Sequence, residues 1–91
     1  MTKKRDRLQI IHDILKAIQD KNGKIKPTHI LYKSNLSHQM LEEYLIELKE
    51  KKFITEEMNK AGKMYQITDH GYAYLEKYKL ITEFVNSFGL Q

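Results

Sequence analysis

Histidine is the side chain in this sequence that is best suited to metal binding and to proton transfer near neutral pH. The chain has four histidines, His12, His29, His38 and His70. No two of them are four residues apart, and there is no cysteine to complete a zinc site. Spacings typical of a nucleophile with its base, of paired catalytic carboxylates or of a glycine-rich phosphate loop are also missing from the sequence. We therefore expect no catalytic site, no metal site and no cofactor.

Lysine and arginine offer a different chemistry, the pairing of cationic side chains with anions. The 91 residues include 16 Lys and Arg against 12 Asp and Glu, which gives a formal net charge of +4 at pH 7. This excess favours anionic partners without identifying them. The basic residues form three groups: Lys3, Lys4, Arg5 and Arg7; Lys24, Lys26 and Lys33; and Lys60 with Lys63.

The length of 91 residues is that of one small domain, which buries about 60–65% of the surface that its unfolded chain exposes. The sequence has no run of about 18 apolar residues, and the basic N-terminus MTKKRDR precedes no apolar segment of the signal-peptide kind. The lack of cysteine fits a reducing compartment. These features predict a soluble, unprocessed protein of the cytoplasm.

The first amphipathic segment runs from Arg5 to about Lys21. Five of its apolar side chains fall on one arc of roughly 120° at 100° per residue, which predicts a helix. The five are Leu8, Ile11, Ile14, Leu15 and Ile18. Asn22-Gly23 should end this helix, because glycine suits a left-handed cap. Ile10 lies off the arc, so we expect it to be partly exposed or covered by something outside the domain.

A second, shorter helix is predicted to follow a brief extended piece. Lys24–Lys26 should be extended, because Pro27 pushes its predecessor toward extended geometry and is itself favoured in the first turn of a helix. The helix can continue only to about Ser34, since turn residues follow at once. Its inward side chains are expected to be Ile30 and Leu31.

The next residues, Asn35-Leu36-Ser37, have the chemistry of a turn between two helices. Asn35 tolerates the left-handed conformation, Leu36 can enter the core, and the Ser37 hydroxyl can cap the third helix. That helix should run from Ser37 to about Lys51. Its expected inward side chains are Leu41, Tyr44, Leu45 and Leu48. Its opposite face presents Gln39, Glu42, Glu43, Ile46 and Glu50.

After the third helix the period of the pattern changes from 3.6 to 2. The segments KFITEEM and KMYQIT are predicted to be two strands of a hairpin, joined at NKAG with Gly62 in the turn. Ile54, Tyr65 and Ile67 are the expected inward side chains.

Thr68 is a good N-cap for a last helix, which could continue to Ser87 or Phe88 and would then be about 30 Å long. A helix of this length extends beyond so small a core, and its expected core contacts are Tyr72 and Leu75. A heptad stripe faces away from them, and it consists of Tyr74, Tyr78, Ile81, Val85 and Phe88. Monomers rarely expose so large an apolar patch, so the stripe predicts a homodimer.

The predicted order of elements is helix, short strand, helix, turn, helix, hairpin and helix, which is that of a winged helix. The stretch GKIKPTHILYKSNLSHQMLEEYLIELKEKKFI, with YQITDHGYAYLE after the hairpin, resembles the small archaeal winged-helix DNA-binding proteins. The resemblance extends from Leu8 to about Glu76, and its most specific parts are Asn35-Leu36-Ser37 and Thr68-Asp69-His70-Gly71. The chain is similar in particular to the basic ten-kilodalton nucleoid-associated proteins, which dimerise through a C-terminal helix.

The resemblance implies a mainly α fold with a small β-hairpin wing. Residues 1–70 would form a winged helix-turn-helix DNA-binding domain, and residues 71–91 a dimerisation helix continuous with it. The implied partner is double-stranded DNA, which the third helix would contact in the major groove. The resemblance places six residues at the DNA surface: Ser37, His38, Gln39, Glu42, Glu43 and Ile46. The distribution of positive charge adds Lys33, Lys60 and Lys63 as expected DNA contacts, and the two wing lysines beside the turn glycine are well placed to follow a phosphate ridge. The dimer interface expected from the heptad stripe consists of Tyr74, Tyr78, Ile81, Phe84, Val85 and Phe88.

The implied function is that of a dimeric transcriptional regulator, or alternatively of an architectural nucleoid protein. On the third helix, Gln39 could pair with adenine and Ile46 could meet a thymine methyl, while a glutamate could accept from cytosine. However, Glu42 and Glu43 would oppose the attraction to phosphate that usually dominates affinity. The same face could therefore be a solvated surface or the contact surface of a protein-interaction module.

Overall fold

The structure is a computed structural model that describes residues 5–22 and 24–90. Within these ranges the elements are α1 (Arg7–Asp20), β1 (Lys24–Ile25), α2 (Pro27–Ser34), α3 (His38–Glu50), β2 (Ile54–Asn59), β3 (Gly62–Ile67) and α4 (Asp69–Ser87). β3 lies between β1 and β2 in one antiparallel sheet, in which Ile25 pairs with Tyr65 and Ile54 with Ile67. The predicted winged helix-turn-helix with its small hairpin is confirmed.

The core forms around α1, which packs against α2, α4 and β3. Ile14, Leu15 and Ile18 are fully buried, as the periodicity predicted. Two expectations for α1 are wrong, because Leu8 is 54% exposed whereas Ile10 is only 8% exposed within the single chain. The reason is that the elements packed on α1 cover the side that carries Ile10 and leave the Leu8 side chain largely open.

Both ends of α1 are fixed by local hydrogen bonds. The Asp6 carboxylate accepts from the backbone nitrogen of Gln9 at 2.8 Å, so the helix begins at Arg7 rather than at Arg5. At the other end Asn22 has the left-handed conformation, with φ of 60°. The cap predicted at Gly23 lies outside the described residues.

The helix-turn-helix forms as its sequence indicates. Asn35 has left-handed dihedral angles (φ 55°, ψ 46°), and the Ser37 hydroxyl accepts from the backbone nitrogen of Met40 at 3.2 Å. Leu36 is partly buried against the core, and Ile30 is fully buried. The predicted inward side chains of α3 are Leu41, Leu45 and Leu48, which are buried, and Tyr44, which is half-buried.

The segment between α3 and β2, which we call the wing root (Lys52 and Phe53), ties the hairpin to the start of α4. Lys52 is left-handed (φ 67°), and the Phe53 nitrogen donates to the Leu48 carbonyl at 2.9 Å. The Phe53 carbonyl in turn accepts from the Thr68 nitrogen at 3.1 Å. The Thr68 hydroxyl lies 2.6 Å from the Lys52 carbonyl oxygen, and it accepts from the Gly71 nitrogen at 3.1 Å. Thr68 therefore caps α4, as predicted, and also bridges to the wing root.

Gly71 allows α4 to approach the wing root closely. A Cβ atom at this position would lie 2.5 Å from the Phe53 carbonyl oxygen and 2.6 Å from Cγ1 of Ile67. Leu75 is buried as expected, but Tyr72 is exposed, so its assignment to the core is wrong. The reason is that the face of α4 turned toward the rest of the chain is centred on Gly71, and Tyr72 follows it 100° around the helix.

α4 has 19 residues and is the longest of the described helices. It ends as predicted at Ser87, where Gly89 (φ 68°) closes the last turn and the Leu90 nitrogen donates to the Val85 carbonyl at 2.9 Å. Within residues 5–22 and 24–90 no helix combines the length and the apolar composition needed to span a bilayer.

Candidate nucleic-acid interface

The outer face of α3 (Gln39, Glu42, Glu43, Ile46 and Glu50) is exposed over its whole length. Ile46 is 49% exposed although it is aliphatic. Ser37 and His38 are exposed at the start of the helix. Six of the residues that the resemblance implied as DNA contacts are therefore exposed, at the N-cap and along consecutive turns of α3.

The charge of α3 is mainly negative. The helix carries four glutamates against Lys49, and one of the glutamates, Glu47, is bound by Arg7 of α1. The Arg7 guanidinium also lies over the Tyr44 ring, with Cζ 5.8 Å from the ring centroid. The hydrogen bond to Glu47 raises the pKa of Arg7 above its ordinary value. Within the described chain, the three glutamates of the outer face have no cationic partner.

The wing, formed by β2, β3 and their turn, presents Lys60 and Lys63 to solvent. The Glu56 carboxylate lies 3.3 Å from the Lys49 ammonium and 3.8 Å from that of Lys63, and it accepts from the Tyr65 hydroxyl at 3.2 Å. The hydrogen bond from Lys49 lowers the pKa of Glu56. The two predicted wing lysines therefore differ, because Lys63 has a carboxylate close by and Lys60 forms no ion pair within the described chain.

Sequence reasoning missed the two carboxylates of the wing. Glu56 takes part in the cluster with Lys49 and Lys63, and Glu57 pairs with Lys24 of β1 at 2.9 Å. Glu57 and Lys24 lie on the two outer strands of the sheet, on either side of β3. The sequence shows charges of both signs along the hairpin, but the partner of each carboxylate depends on strand pairing.

A basic cleft of 400 Å³ opens beside the start of α2. Its cationic or titratable lining residues are Lys21, Lys24, Lys26 and His29. Lys24 and Lys26 belong to a basic group identified in the sequence, whereas Lys21 and His29 were not assigned to that group. Lys33, at the other end of α2, is exposed and forms no ion pair among the residues described.

A smaller cleft of 250 Å³ joins three elements that were predicted to contribute to the same site. It is lined by Thr28 of α2, His38 and Glu42 of α3, and Lys63 of the wing, among others. The structure therefore brings His38, Glu42 and Lys63 together at one surface. Lys33 and Lys60 do not line this cleft.

The histidines are dispersed, and two of them stack on aromatic rings. His12 stacks on Tyr78 with a centroid distance of 4.4 Å, and His70 stacks on Phe53 at 4.3 Å. In the part of the chain that the structure describes, no three metal-binding side chains come together in a way that could hold an ion.

The residues predicted to form the dimer interface divide into two groups. Tyr74 and Tyr78 are half-buried in their own chain, where the Tyr74 hydroxyl donates to the Leu8 carbonyl at 2.7 Å. Burial raises the pKa of Tyr74 to about 12. Val85 is also half-buried, whereas the more outward residues are exposed. The exposed apolar side chains of this region form what we call the apolar ridge of α4: Leu80, Ile81, Phe84 and Phe88.

Known proteins of similar sequence and structure agree with this architecture. The chain is 38% identical over 74 residues to an uncharacterised protein of Methanocaldococcus jannaschii, and the match covers 81% of this chain and 32% of that protein. This chain therefore corresponds to about a third of its relative.

Several solved structures share the fold. Sso10a-2, a DNA-binding protein from Sulfolobus solfataricus, has a TM-score of 0.77 and 23% identity, with 93% of this chain and 90% of that chain covered. F93 from STIV, a winged-helix DNA-binding protein, has a TM-score of 0.72 and 21% identity, with 88% and 92% covered.

The family model described as winged helix-turn-helix matches residues 4–86, which include every helix and strand described above except the last residue of α4. The resemblance that was identified from the sequence motifs is therefore confirmed. This chain belongs to the winged helix-turn-helix family.

Proposed function

We propose that this protein binds double-stranded DNA as a homodimer and acts as a transcriptional regulator. The observation that carries the proposal is the exposure of the outer face of α3 over its whole length. This helix is the third helix of a winged helix-turn-helix, and cations of α2 and the wing flank it. The DNA-binding proteins Sso10a-2 and F93 share this fold, which adds support by analogy. The protein would act on the chromosome, in the cytoplasm.

In this mechanism, affinity and specificity come from different side chains. Lys33 and Lys60 are exposed and form no ion pair within the described chain, so they can neutralise DNA phosphates without first breaking a contact. Gln39 can pair with adenine and Ile46 can contact a thymine methyl group. The glutamates of α3 weaken the general attraction to phosphate, so binding depends on the cations that flank the helix.

The proposed dimer forms through α4. The apolar ridge leaves four large side chains open on a single chain, which is unusual for a stable monomer. Pairing of two ridges about a two-fold axis would cover them and would present two winged helices to pseudo-palindromic DNA.

The test of DNA binding is fluorescence anisotropy on random duplex DNA, titrated from about 50 to about 200 mM salt. We expect binding that falls steeply with salt. Lys60→Glu with Lys63→Glu should weaken binding to all sequences, and most of the loss should come from Lys60, because Lys63 is close to Glu56. The matched control is Lys16→Glu with Lys79→Glu, on α1 and α4, which makes the same change in charge at exposed residues of a cleft that contains no residue of α3. An equal loss in both double variants would contradict the proposed surface.

Selection from genomic fragments distinguishes a regulator from an architectural nucleoid protein. A regulator should enrich one sequence, whereas an architectural protein should enrich none.

A second candidate function, a protein-interaction module, is favoured by one observation, the exposed Ile46 among carboxylates. In that case no DNA binding should be detected even at the lowest salt concentration. Ile46→Asp should then abolish binding to a protein partner.

A further inference from the structure

An apolar groove of 360 Å³ lies between the start of α1, the wing root and the first half of α4. Its walls are made chiefly by Leu8, Phe53, Ala73, Tyr74, Tyr78 and Ile81. The Phe53 and Tyr74 rings meet edge to face at 5.7 Å, so the inner wall is aromatic. Leu8 contributes the most open side chain, at 54% exposed. The groove is therefore a concave apolar surface on the winged-helix body, adjacent to α4.

The apolar ridge on the second half of α4 is the convex counterpart of this groove. Phe84 and Phe88 are one turn apart, their ring centroids are 5.0 Å apart, and both rings are exposed. The single chain thus has an apolar cavity at one end of α4 and a pair of projecting aromatic side chains at the other end.

The spacing along α4 allows the two features to meet in a pair of chains. Residues 73, 77, 81, 84 and 88 are three or four positions apart, so they lie along one face of the helix. Suppose that two α4 helices pair antiparallel about a two-fold axis between Leu80 and Ile81. Each residue then lies opposite the residue of the other copy that is equally far from this point on its other side. Phe88 then faces Ala73 of the other copy, and Phe84 faces Lys77.

We infer that the groove is a docking site for a second copy of this chain, whose Phe84 and Phe88 insert between the start of α1 and the wing root. The inference rests on the proposed dimer and goes beyond helix pairing, because the end of each α4 contacts the winged-helix body of its partner. A two-fold arrangement uses both grooves and both ridges, so no apolar surface of this set remains open.

This contact would link dimer formation to the DNA-binding surface. Phe53 lines the groove, and its carbonyl accepts the backbone hydrogen bond of Thr68 at the junction of the wing and α4. Filling the groove therefore packs the partner against the residue immediately before β2.

Disulfide trapping tests the contact directly, because the native chain has no cysteine. Leu8→Cys and Phe88→Cys proteins are mixed and oxidised with glutathione disulfide, and the fraction of cross-linked heterodimer is followed on a non-reducing gel. The control mixture replaces Leu8→Cys by Tyr32→Cys, since Tyr32 is the most exposed large side chain, at 90%. Ala73→Cys with Phe88→Cys tests the antiparallel register. Circular dichroism checks that each variant is folded.

We expect the Leu8–Phe88 and Ala73–Phe88 mixtures to cross-link at least about tenfold faster than the Tyr32–Phe88 control. Leu8→Asp should weaken the dimer about tenfold in sedimentation velocity, equivalent to about 1.4 kcal/mol, without unfolding the chain, because a carboxylate would replace one apolar anchor of the interface.

Self-cross-linking of Phe88→Cys alone would indicate parallel helices and overturn the inference. Equal rates in the Leu8 and Tyr32 mixtures would also overturn it. If light scattering still gives a dimer in that case, the proposed function survives and only the groove contact fails. Anilinonaphthalene sulfonate provides a third test with Leu80→Asp, a substitution in the apolar ridge outside the groove: equal dye fluorescence in wild-type protein and in this variant would mean that the groove is open to small molecules rather than filled by a second copy.

Discussion

Two helix faces of this protein are open to solvent over several turns, the outer face of α3 and the apolar ridge of α4. On α3 the exposed side chains are mostly amides and carboxylates, with Ile46 as the aliphatic member. On α4 four large apolar side chains follow one another within nine residues. A polar face of this kind suits a hydrated, reversible contact, and its carboxylates make DNA binding dependent on the flanking cations, whereas an apolar face suits a persistent contact between proteins. Equal exposure therefore indicates different partners.

The largest expected effect is the loss of self-association when an isoleucine of α4 is replaced by aspartate, and the same replacement on α3 is its control. Ile81→Asp should weaken self-association by about 100-fold or more, because an unpaired carboxylate costs several kcal/mol when buried. It should also lower stability. Light scattering should give half the wild-type mass for Ile81→Asp and an unchanged mass for Ile46→Asp. An unchanged mass for Ile81→Asp would remove the distinction between the two faces.

Gly71→Ala tests the contact that holds α4 against the winged-helix body. The new methyl group would overlap the Phe53 carbonyl oxygen and Ile67, so we expect a loss of about 2–3 kcal/mol in the free energy of unfolding. Ala73→Gly, two residues along the same helix, is the control and should cost about 1 kcal/mol through helix propensity. Chemical denaturation measures both. Similar losses would mean that the close approach at Gly71 has no importance for stability.

Gln39→Ala tests whether the outer face of α3 reads bases. Removal of the amide should reduce discrimination between the preferred sequence and its variants by about 1–3 kcal/mol at one base pair. Lys33→Ala is the contrasting variant and should weaken binding to all sequences, with a salt dependence reduced by about one unit of slope. Competition binding distinguishes the two patterns. A uniform loss in Gln39→Ala would assign α3 to non-specific contact.

The smallest effect concerns the first half of α4, which is anchored in its own chain. Burial raises the pKa of Tyr65 and of Tyr74 from 10.0 to about 12. The folded chain therefore holds the two phenolic protons more tightly than the unfolded chain does. The stabilisation from these two tyrosines is complete below pH 10 and is lost as the pH rises from 10 to about 12. Melting temperatures at pH 9.5 and 11.5 should fall less in Tyr74→Phe than in wild type. Equal falls would mean that Tyr74 is not buried as described.

Local signals in the sequence were sufficient to predict the order of the helices and strands and several of the helix ends. Asn35, Ser37 and Thr68 act through hydrogen bonds or dihedral angles within a few residues, so their roles could be predicted from residue type and position. Leu8 and Tyr72 were assigned wrongly to the core, because a periodic pattern gives the width of an apolar face and not the edge that neighbouring elements cover.

The candidate surfaces were less predictable, because they depend on which elements meet. Lys60 and Lys63 look equivalent in the sequence, yet only Lys63 lies beside Glu56 once the hairpin is paired. The groove escaped prediction for the same reason. Leu8 and Phe53 are 45 positions apart and meet beside α4 only in the folded chain.

The length of α4 also affects how the stability of this protein should be defined. Its second half exposes four large apolar side chains. A helical segment of about 10 residues is only marginally stable in water without tertiary contacts. Part of the free energy that keeps these turns helical would then come from the second copy in the proposed dimer. The melting temperature should consequently rise with protein concentration, and amide hydrogens near Phe84 should exchange more slowly in concentrated samples, so that folding of the helix end and association form a single equilibrium.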